Sequence, residues 1–275
     1  MKVSFVVPTR DSARTIEACL GSLRAQTHDA VEIIVVDNGS TDQTVAIASR
    51  SADQVTTWGP ERSAQRNHGT ARSTGEIVVF VDSDMVLEPQ LATELVATFT
   101  TQPSLGALVI PERSFGSGFL AACRVMEKEL YVGDATVEAP RAFRRSVIED
   151  LGGWAETLVA AEDWDLADRT RAAGVGIGRV GAWIWHDEGR LRLRSTFAKK
   201  RYYGQWIALY LRTHRDGGRK FTRTALLRQP VHLLRHPLLT VGLVVLKATE
   251  ATGILFGARD ARRHGGPAPA TRVAT

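Results

Sequence analysis

The sequence has 275 residues, 44% hydrophobic and 24% charged, so it is long enough to bury a substantial core and has ordinary globular composition. The two cysteines, Cys19 and Cys123, lie far apart and lack metal-ligand spacing, which argues against a disulfide framework or a cysteine-based zinc site. The N-terminus runs directly into a strand-like segment and lacks the apolar region of a signal peptide, so we expect a cytoplasmic protein.

Charge is distributed unevenly along the chain. Residues 1–189 carry 17 Lys and Arg against 27 Asp and Glu, whereas residues 190–275 carry 18 against 3. A basic tail of this kind attracts nucleic acid or anionic lipid. Aromatic and apolar residues are dense between Thr196 and Leu211, as in an interfacial helix. We therefore expect the partner to be an anionic membrane surface at the inner face of the cell membrane rather than nucleic acid.

A second apolar stretch, Leu238 to Phe256, is interrupted by Lys247 and Glu250. A charge in the middle of a spanning helix is costly, so we expect a helix that lies in the membrane interface or is partly inserted. The alternative is an amphipathic helix packed on its own domain. Residues 190–258 are thus predicted to form a basic, aromatic helical extension and residues 259–275 a disordered tail.

The first half of the chain alternates apolar strand-like runs with segments of helical periodicity. This repeated pattern predicts an α/β domain over residues 1–189, with a mostly parallel central sheet flanked by helices. The predicted strands cover residues 3–7, 33–36, 55–58, 77–81 and 105–110, and the clearest helices cover 63–73 and 90–101.

Polar residues follow the predicted strands, where sheets of this kind bind ligands. Pro8, Thr9 and Arg10 come at the end of the first strand, and Asp37 ends the second and opens into Asn38-Gly39. Asp37 and this turn are candidates to bind a nucleobase or ribose, and Gly39 allows the backbone to turn tightly. The alternative is a plain strand-turn-helix connection, and both can hold together.

Asp82-Ser83-Asp84 follows the buried strand 77–81. Two carboxylates at this position offer hard oxygen ligands to Mg²⁺ or Mn²⁺, which would bind diphosphate oxygens. The alternative is an acidic loop that is merely solvated, but the preceding hydrophobic strand favours a metal site. His186, at a later strand end, is a further candidate metal or phosphate contact, or else a structural histidine.

Two other pairs are candidates for chemistry. Arg66 and Asn67 lie on a helix that leads into the metal strand and could reach a base or phosphate, unless they form a solvated helix face. Glu162-Asp163 precedes a predicted helix over 165–173. Asp163 is the candidate general base, and Glu162 is a candidate to orient Asp163 or an acceptor. Acidic residues at a helix N-terminus are also common because they suit its dipole.

Taken in order, these segments resemble glycosyltransferase family 2. The resemblance implies the GT-A fold and inverting, metal-dependent sugar transfer from a UDP- or GDP-sugar. Under it Pro8, Thr9 and Asp37 help hold the nucleotide, Asp82 lies near the ribose or diphosphate, Asp84 ligates the metal and Asp163 is the base. The motifs are V-V-P-T-R at 6–10, V-V-D-N-G-S-T-D at 35–42, A-Q-R-N at 64–67, T-G-E-I at 74–77, V-D-S-D at 81–84, G-G-W at 152–154 and E-D-W-D-L at 162–166.

The sequence is also similar to membrane-associated members of that family, which implies a lipid-linked or cell-envelope glycan as the hydroxyl acceptor. The Q-x-x-R-W motif of processive members does not fit residues 201–206, so we expect transfer of single sugars. Two alternatives stay open. A nucleotidyltransferase would need a basic glycine-rich loop near the N-terminus, which residues 7–11 are not. A membrane- or nucleic-acid-binding module with a non-catalytic body would need no base carboxylate.

Overall fold

The computed structural model describes residues 1–134, 137–213 and 230–263, which form two compact units. The first contains Met1–Arg113, Glu138–Thr157 and Glu162–Asp187, and the second contains Ser114–Val137, Leu158–Ala161 and the chain from Glu188 onward.

The elements alternate between strand and helix in the first half and are mainly helical at the C-terminal end. In chain order they are β1 (Val3–Thr9), α1 (Ile16–Arg24), β2 (Val31–Asp37), α2 (Thr44–Ala48), β3 (Gln54–Thr57), α3 (Arg62–Arg72), β4 (Ile77–Phe80), β5 (Met85–Leu87), α4 (Leu91–Thr101), β6 (Leu105–Val109), β7 (Glu112–Phe115), α5 (Phe119–Glu129), β8 (Ala142–Arg144), α6 (Arg145–Asp150), α7 (Glu162–Ala172), β9 (Gly176–Arg179), β10 (Ile184–Asp187), α8 (Leu193–Thr213), α9 (Pro230–Arg235) and α10 (Pro237–Arg263).

The main sheet has the strand order β3-β2-β1-β4-β8-β6-β9. Strand β1 pairs in parallel with both β2 and β4, and β8 runs antiparallel between β4 and β6. The predicted α/β fold with a mostly parallel central sheet is therefore confirmed. Because the chain leaves β1 in one direction toward β2 and later returns to its other side as β4, the carboxyl end of β1 is a topological switch point.

Burial explains why these segments are strands. Every residue of β1 and β4 is buried, as expected for parallel strands covered by helices on both faces. Helix α1 places Ile16, Leu20 and Leu23 on its buried face at helical spacing. Helix α3 comes unusually near the sheet, because a Cβ on Gly69 would lie 2.3 Å from Cγ1 of Val6.

A second, three-stranded sheet with the order β5-β10-β7 was not predicted. Its strands are three or four residues long, too short to show a period in the sequence. The register pairs His186 with Met85, next to Asp84. This sheet therefore fixes the position of the predicted histidine.

The second unit is built on helices. Helix α10 packs along α8 with glycines at the contact, since a Cβ on Gly257 would lie 2.0 Å from the carbonyl oxygen of Arg201. Cys123 and Met126 of α5 pack against Leu243 of α10. Among the described residues, α10 is the one helix long and apolar enough to cross a membrane by length and composition.

Two predicted boundaries differ from the structure. Residues 114–134, predicted within the 1–189 domain, belong to the second unit because α5 packs against α10. Helix α10 continues through Arg263, so the predicted disordered tail begins five residues too early. Burial of Ala261 and an ion pair between Asp260 and Arg201 at 2.6 Å hold this last turn. The remainder of the predicted tail, 264–275, lies outside the described residues.

Candidate active site

The loops after β1 and β2 form one side of the site. Asp37 is 2% exposed, and its Oδ2 accepts a hydrogen bond from the Ser40 N–H at 2.8 Å while Oδ1 accepts one from the Ser40 hydroxyl. The N–H of Asn38 donates to the Thr9 carbonyl at 2.9 Å. Thr9 Oγ1 is buried and has no hydrogen-bond partner among the described residues. A buried hydroxyl without a partner is costly unless a ligand or water supplies one.

The same two loops are joined by further hydrogen bonds. The Asp11 N–H donates to Ser40 Oγ at 2.8 Å, and Asp11 Oδ1 accepts a hydrogen bond from the Thr41 N–H at 2.7 Å. Asp11 has φ +46°, a left-handed conformation that non-glycine residues adopt at a cost. Asp42 and Thr44 accept hydrogen bonds from the backbone of residues 13 and 12. The first loop is thus held in a strained shape by the second.

Arg66 lies at the centre of the site. It is 0% exposed, and its guanidinium contacts Asp82 Oδ1 at 2.9 Å and Asp163 Oδ1 at 3.1 Å. The guanidinium also lies 4.2 Å from the ring centroid of Trp154, a cation–π contact. The alternative of a solvated helix face is therefore wrong for Arg66. One buried cation joins the predicted donor side to the predicted base.

Asp82 is held by two arginines. Besides Arg66, the NH1 of Arg141 lies 3.5 Å from Asp82 Oδ2. Burial would raise the pKa of the Asp82 carboxyl, but Arg66 and then Arg141 lower it well below its ordinary value. Asp82 is therefore an anion at neutral pH. Backbone pairing of β8 with β4 places Arg141, since the Phe80 N–H donates to its carbonyl at 2.9 Å.

Glu162 and Asp163 begin α7, but their environments differ. Glu162 is 3% exposed and contacts Arg62 at 3.1 Å, whereas the side chain of Asp163 is 39% exposed. Burial raises the pKa of Glu162 above its ordinary value despite Arg62, and Asp163 adds to the rise. Of the two, Asp163 is the carboxylate accessible to a substrate. Ala161, directly before them, has φ +65°.

Asp84 and His186, the two predicted metal ligands, lie beside each other. His186 Nε2 is 3.2 Å from Asp84 Oδ2, and its Nδ1 is 4.0 Å from Glu112 Oε2. Imidazole nitrogen and carboxylate oxygen are both suitable ligands for Mn²⁺, and a carboxylate on the other ring nitrogen is a usual way to orient a ligating histidine. Among the described residues, no group of three or more such side chains is arranged to hold a metal. The donor set therefore fits a metal that takes its remaining ligands from a diphosphate or water.

The remaining predicted residues have different environments. Asn67 braces a loop: its Nδ2 donates to the Trp154 carbonyl at 2.9 Å and its Oδ1 accepts from the Trp154 N–H at 2.8 Å. Its predicted donor contact stays a prediction. Ser83 Oγ contacts Ser12 Oγ at 2.9 Å, and Arg10 lies beside Asp11 at 4.0 Å. Pro8 lies within β1, opposite Val36 of β2.

Sequence reasoning assigned no role to three residues of this network. Arg141 holds Asp82, Glu112 accepts a hydrogen bond from Arg141 at 2.5 Å and faces His186, and Gln65 donates to the Thr9 carbonyl at 3.0 Å. The signal available was a cation directly before the short strand β8 and a carboxylate at the first position of the short strand β7. Neither is specific without the antiparallel pairing of β8.

Comparison with solved structures identifies the fold. A mannosyltransferase from Pyrobaculum calidifontis, solved with GDP-Man and Mn²⁺, superposes with a TM-score of 0.62 at 21% identity, covering 95% of this chain and 80% of that chain. The fold is that of the GT-A glycosyltransferases. Residues 4–130 match the model of Glycosyl transferase family 2, so this part of the chain is similar to members of that family.

Two curated relatives extend the comparison. The chain is 30% identical over 242 residues to a pre-mycofactocin glycosyltransferase of Mycobacterium tuberculosis, covering 78% of this chain and 48% of that protein. It is 25% identical over 197 residues to an O-antigen chain rhamnosyltransferase of Salmonella typhimurium, covering 63% and 62%. The chain thus spans less than two thirds of the length of either relative.

Proposed function

We propose that the first unit transfers a sugar from a UDP- or GDP-sugar to a hydroxyl acceptor with inversion at the anomeric carbon. The observation that carries the proposal is the buried guanidinium of Arg66, which contacts both Asp82 and Asp163. Arg66 holds Asp82, at the end of a strand, on the donor side of the site. It also holds the accessible carboxylate of Asp163, the base, at a fixed separation from Asp82. The match of residues 4–130 to the family model and the GT-A fold support the same chemistry.

The donor side is assigned to the loops after β1, β2 and β4. Asp37, Asn38 and Gly39 line the nucleoside end, with Pro8, Thr9 and Arg10 beside them. The unpartnered Thr9 hydroxyl offers a ligand a hydrogen bond, and Gly39 at φ +65° has open space where a Cβ would stand. Asp82 and Ser83 lie toward the ribose and diphosphate. Arg66, being buried, positions Asp82 rather than reaching the nucleotide itself.

Asp84 and His186 are proposed to hold Mn²⁺ or Mg²⁺. A cation bound there would neutralise the charge that develops on the leaving diphosphate. What this chain contributes is the orientation of the two ligands. Register within the small sheet brings His186 beside Asp84, and Glu112 Oε2 lies 4.0 Å from the other ring nitrogen.

Asp163 is proposed as the general base. Inversion requires a carboxylate that accepts the proton of the acceptor hydroxyl as its oxygen attacks the anomeric carbon opposite the diphosphate. Asp163 is accessible, and its contact with Arg66 fixes one oxygen, leaving the other to the acceptor. Glu162 is buried against Arg62 and serves to hold the start of α7.

The test separates binding from chemistry. Purified protein is screened by thermal melting with UDP, GDP, CMP and dTDP, with and without Mn²⁺, because a ligand bound only to the folded state raises the melting temperature. Asp84→Asn should lose the metal-dependent shift. Asp163→Asn should keep it and lose turnover about 10²- to 10⁴-fold. A folded protein that shifts with no nucleotide would refute the proposal and favour a binding module.

We further propose that the second unit attaches the protein to the cytoplasmic face of an anionic membrane, where the acceptor is a lipid-linked or cell-envelope glycan. Helix α10 carries its large apolar side chains on the exposed face. Leu238 is 76% exposed, Val241 64% and Leu255 69%. The exposed positions from 238 to 256 include no charged residue. An exposed apolar face of this length favours contact with lipid.

The charges of α10 face the other helices instead. Glu250 contacts Arg124 of α5 and lies 3.6 Å from Lys200 of α8, and Lys247 contacts Glu127 of α5. Burial would raise the pKa of Glu250, but Lys200, Arg124 and Lys247 lower it well below its ordinary value. The two charges that argued against insertion are therefore paired inside the unit. Arginines at 235, 259, 262 and 263 flank the apolar stretch, where they suit anionic headgroups.

Vesicle sedimentation tests this second proposal. Vesicles of phosphatidylcholine with an anionic lipid should pellet the full chain, and a Val241→Glu, Leu255→Glu double variant should stay in solution. Val45→Glu, at an exposed apolar position of the first unit, is the control and should pellet like the wild type. Equal pelleting of all three proteins would contradict attachment through α10.

A further inference from the structure

Trp58 is an exposed aromatic residue at the same sheet edge as Asp37. The parallel register of β2 and β3 pairs Asp37 with Thr57, so Trp58 is the first residue beyond β3 beside the β2 loop. The Trp58 N–H donates to the Asp37 carbonyl at 2.9 Å. The backbone of Trp58 is therefore fixed next to the residue assigned to the nucleoside.

The indole is held in one orientation by a partner behind it. His68 of α3 stacks on Trp58 with ring centroids 4.6 Å apart and planes 11° from parallel. His68 Nε2 lies 3.2 Å from Thr56 Oγ1, which fixes the imidazole in turn. Burial, and then Arg72, lower the pKa of His68 below its ordinary value, so the ring is neutral at neutral pH. A neutral, braced imidazole is a support for stacking rather than a charge.

Trp58 stays exposed beside this stack. The residue is 50% exposed although His68 stacks on one face of its indole. Gly59 follows, where a Cβ would lie 2.6 Å from Asn38 Oδ1, so glycine lets the Asn38 amide sit against this turn. Asn38 Nδ2 donates to the Pro60 carbonyl at 2.5 Å. A flat aromatic surface thus adjoins two loops rich in hydrogen-bonding groups.

We propose that Trp58 is the stacking platform for the nucleobase of the donor. Bases stack on tryptophan because both present flat π-faces. Removal of one such contact weakens binding roughly 5- to 150-fold. The inference rests on the proposed function and adds the residue that recognises the base. A hydrophobic surface residue without a ligand would need neither the stacked, fixed histidine nor the position beside Asp37.

Calorimetric titration of the full chain with UDP, GDP and pyrophosphate in the presence of Mn²⁺ tests the assignment. Trp58→Ala should weaken the nucleotide that the wild type binds by about tenfold or more, while Trp58→Phe, which keeps an aromatic face, should stay within about threefold. Pyrophosphate has no base, so both variants should bind it as the wild type does. Circular dichroism confirms that the variants are folded.

The outcomes are distinguishable. Wild-type affinity for nucleotide that survives in Trp58→Ala, or a parallel loss of pyrophosphate binding, would overturn the stacking role and leave the donor site intact. A wild type that binds neither nucleotide would refute the donor site itself, and the platform with it.

Discussion

Helix α3 of the first unit buries polar side chains, whereas helix α10 of the second unit exposes apolar side chains. Helix α3 turns polar residues inward, among them Gln65 and the fully buried Arg66. Helix α10 turns Leu238, Val241 and Leu255 outward. The Gln65 amide donates to backbone carbonyls, and the terminal nitrogens of Arg66 contact Asp82 and Asp163, all within the first unit. Among the described residues, none covers the apolar face of α10. The two helices therefore suit different environments.

Both the buried charge of α3 and the exposed apolar face of α10 are unfavourable unless something compensates for them. A buried guanidinium is tolerated because carboxylates and a tryptophan face surround it, and such networks mark sites of chemistry. An exposed apolar face is tolerated when lipid or a partner covers it. Amino-acid composition alone does not separate these cases, because it does not say which side chains of α3 and α10 face inward and which face outward.

Removing Arg66 should have the largest effect. Arg66→Met leaves Asp82 and the start of α7 without their shared cation, and we expect a loss of about 3–5 kcal/mol in the free energy of unfolding, together with loss of nucleotide-dependent activity. Urea unfolding of the purified chain measures it. Arg72→Met, on an exposed position of the same helix, should change stability by less than about 0.5 kcal/mol. Equal losses for both would mean that the network contributes nothing.

Substitution of a buried glycine of α10 should have the next largest effect. Gly257→Ala places a Cβ 2.0 Å from the Arg201 carbonyl, so α8 and α10 must separate, at a cost of about 1–3 kcal/mol. Gly21→Ala in α1 meets nothing within 4 Å and should stabilise by up to about 1 kcal/mol. Thermal melts followed by circular dichroism would show shifts of opposite sign, and shifts of the same sign would contradict the packing.

Acid should act on both units in the same direction. The folded pKa values of Asp82 and Glu250 are lowered, so the stability that each contributes is present above the unfolded values, about 3.9 and 4.3, and is lost progressively as pH falls below them toward the folded values. Stability should therefore fall below about pH 5. Glu250→Gln should flatten this fall, whereas Glu149→Gln, at a side chain 55% exposed, should follow the wild type. A wild-type curve that stays level to pH 3 would contradict it.

The smallest stability effect is expected on the exposed face of α10. Val244→Ser should change the free energy of unfolding by less than about 0.5 kcal/mol, whereas Leu243→Ser, one residue earlier and buried, should cost about 2–5 kcal/mol. Denaturant midpoints in detergent-free buffer distinguish them. Similar costs for the neighbours would show that the Val244 face is covered in solution, and the contrast with α3 would disappear.

The sequence was sufficient for β1, β2 and β4 of the central sheet and for the grouping of the residues that follow these strands. β1, β2 and β4 are continuous apolar runs, and parallel strands bring their carboxyl ends to one edge. It was insufficient for β8, whose antiparallel insertion depends on contacts with β4 and β6 rather than on three residues of local pattern. That is why Arg141 was not recognised as a partner of Asp82.

Burial was the other quantity that sequence could not supply. Arg66 was identified as a site residue, yet its full burial between two carboxylates depends on Gly69 letting α3 approach the sheet. The pairing of Lys247 and Glu250 inside the second unit depends on α5, far away in sequence. In both cases a charge was visible, but its partner was not.

The hydrogen bonds between the first two loops have a consequence for inheritance. Hydrogen bonds with Ser40 and Thr41 hold Asp11 in its left-handed conformation. The backbone N–H groups of residues 12 and 13 donate to Thr44 and Asp42. A lineage that replaced Ser40 would lose the support of Asp11, and a lineage that replaced Asp11 would release Thr41. A substitution in one segment is therefore expected to disturb the other, although about thirty residues separate them.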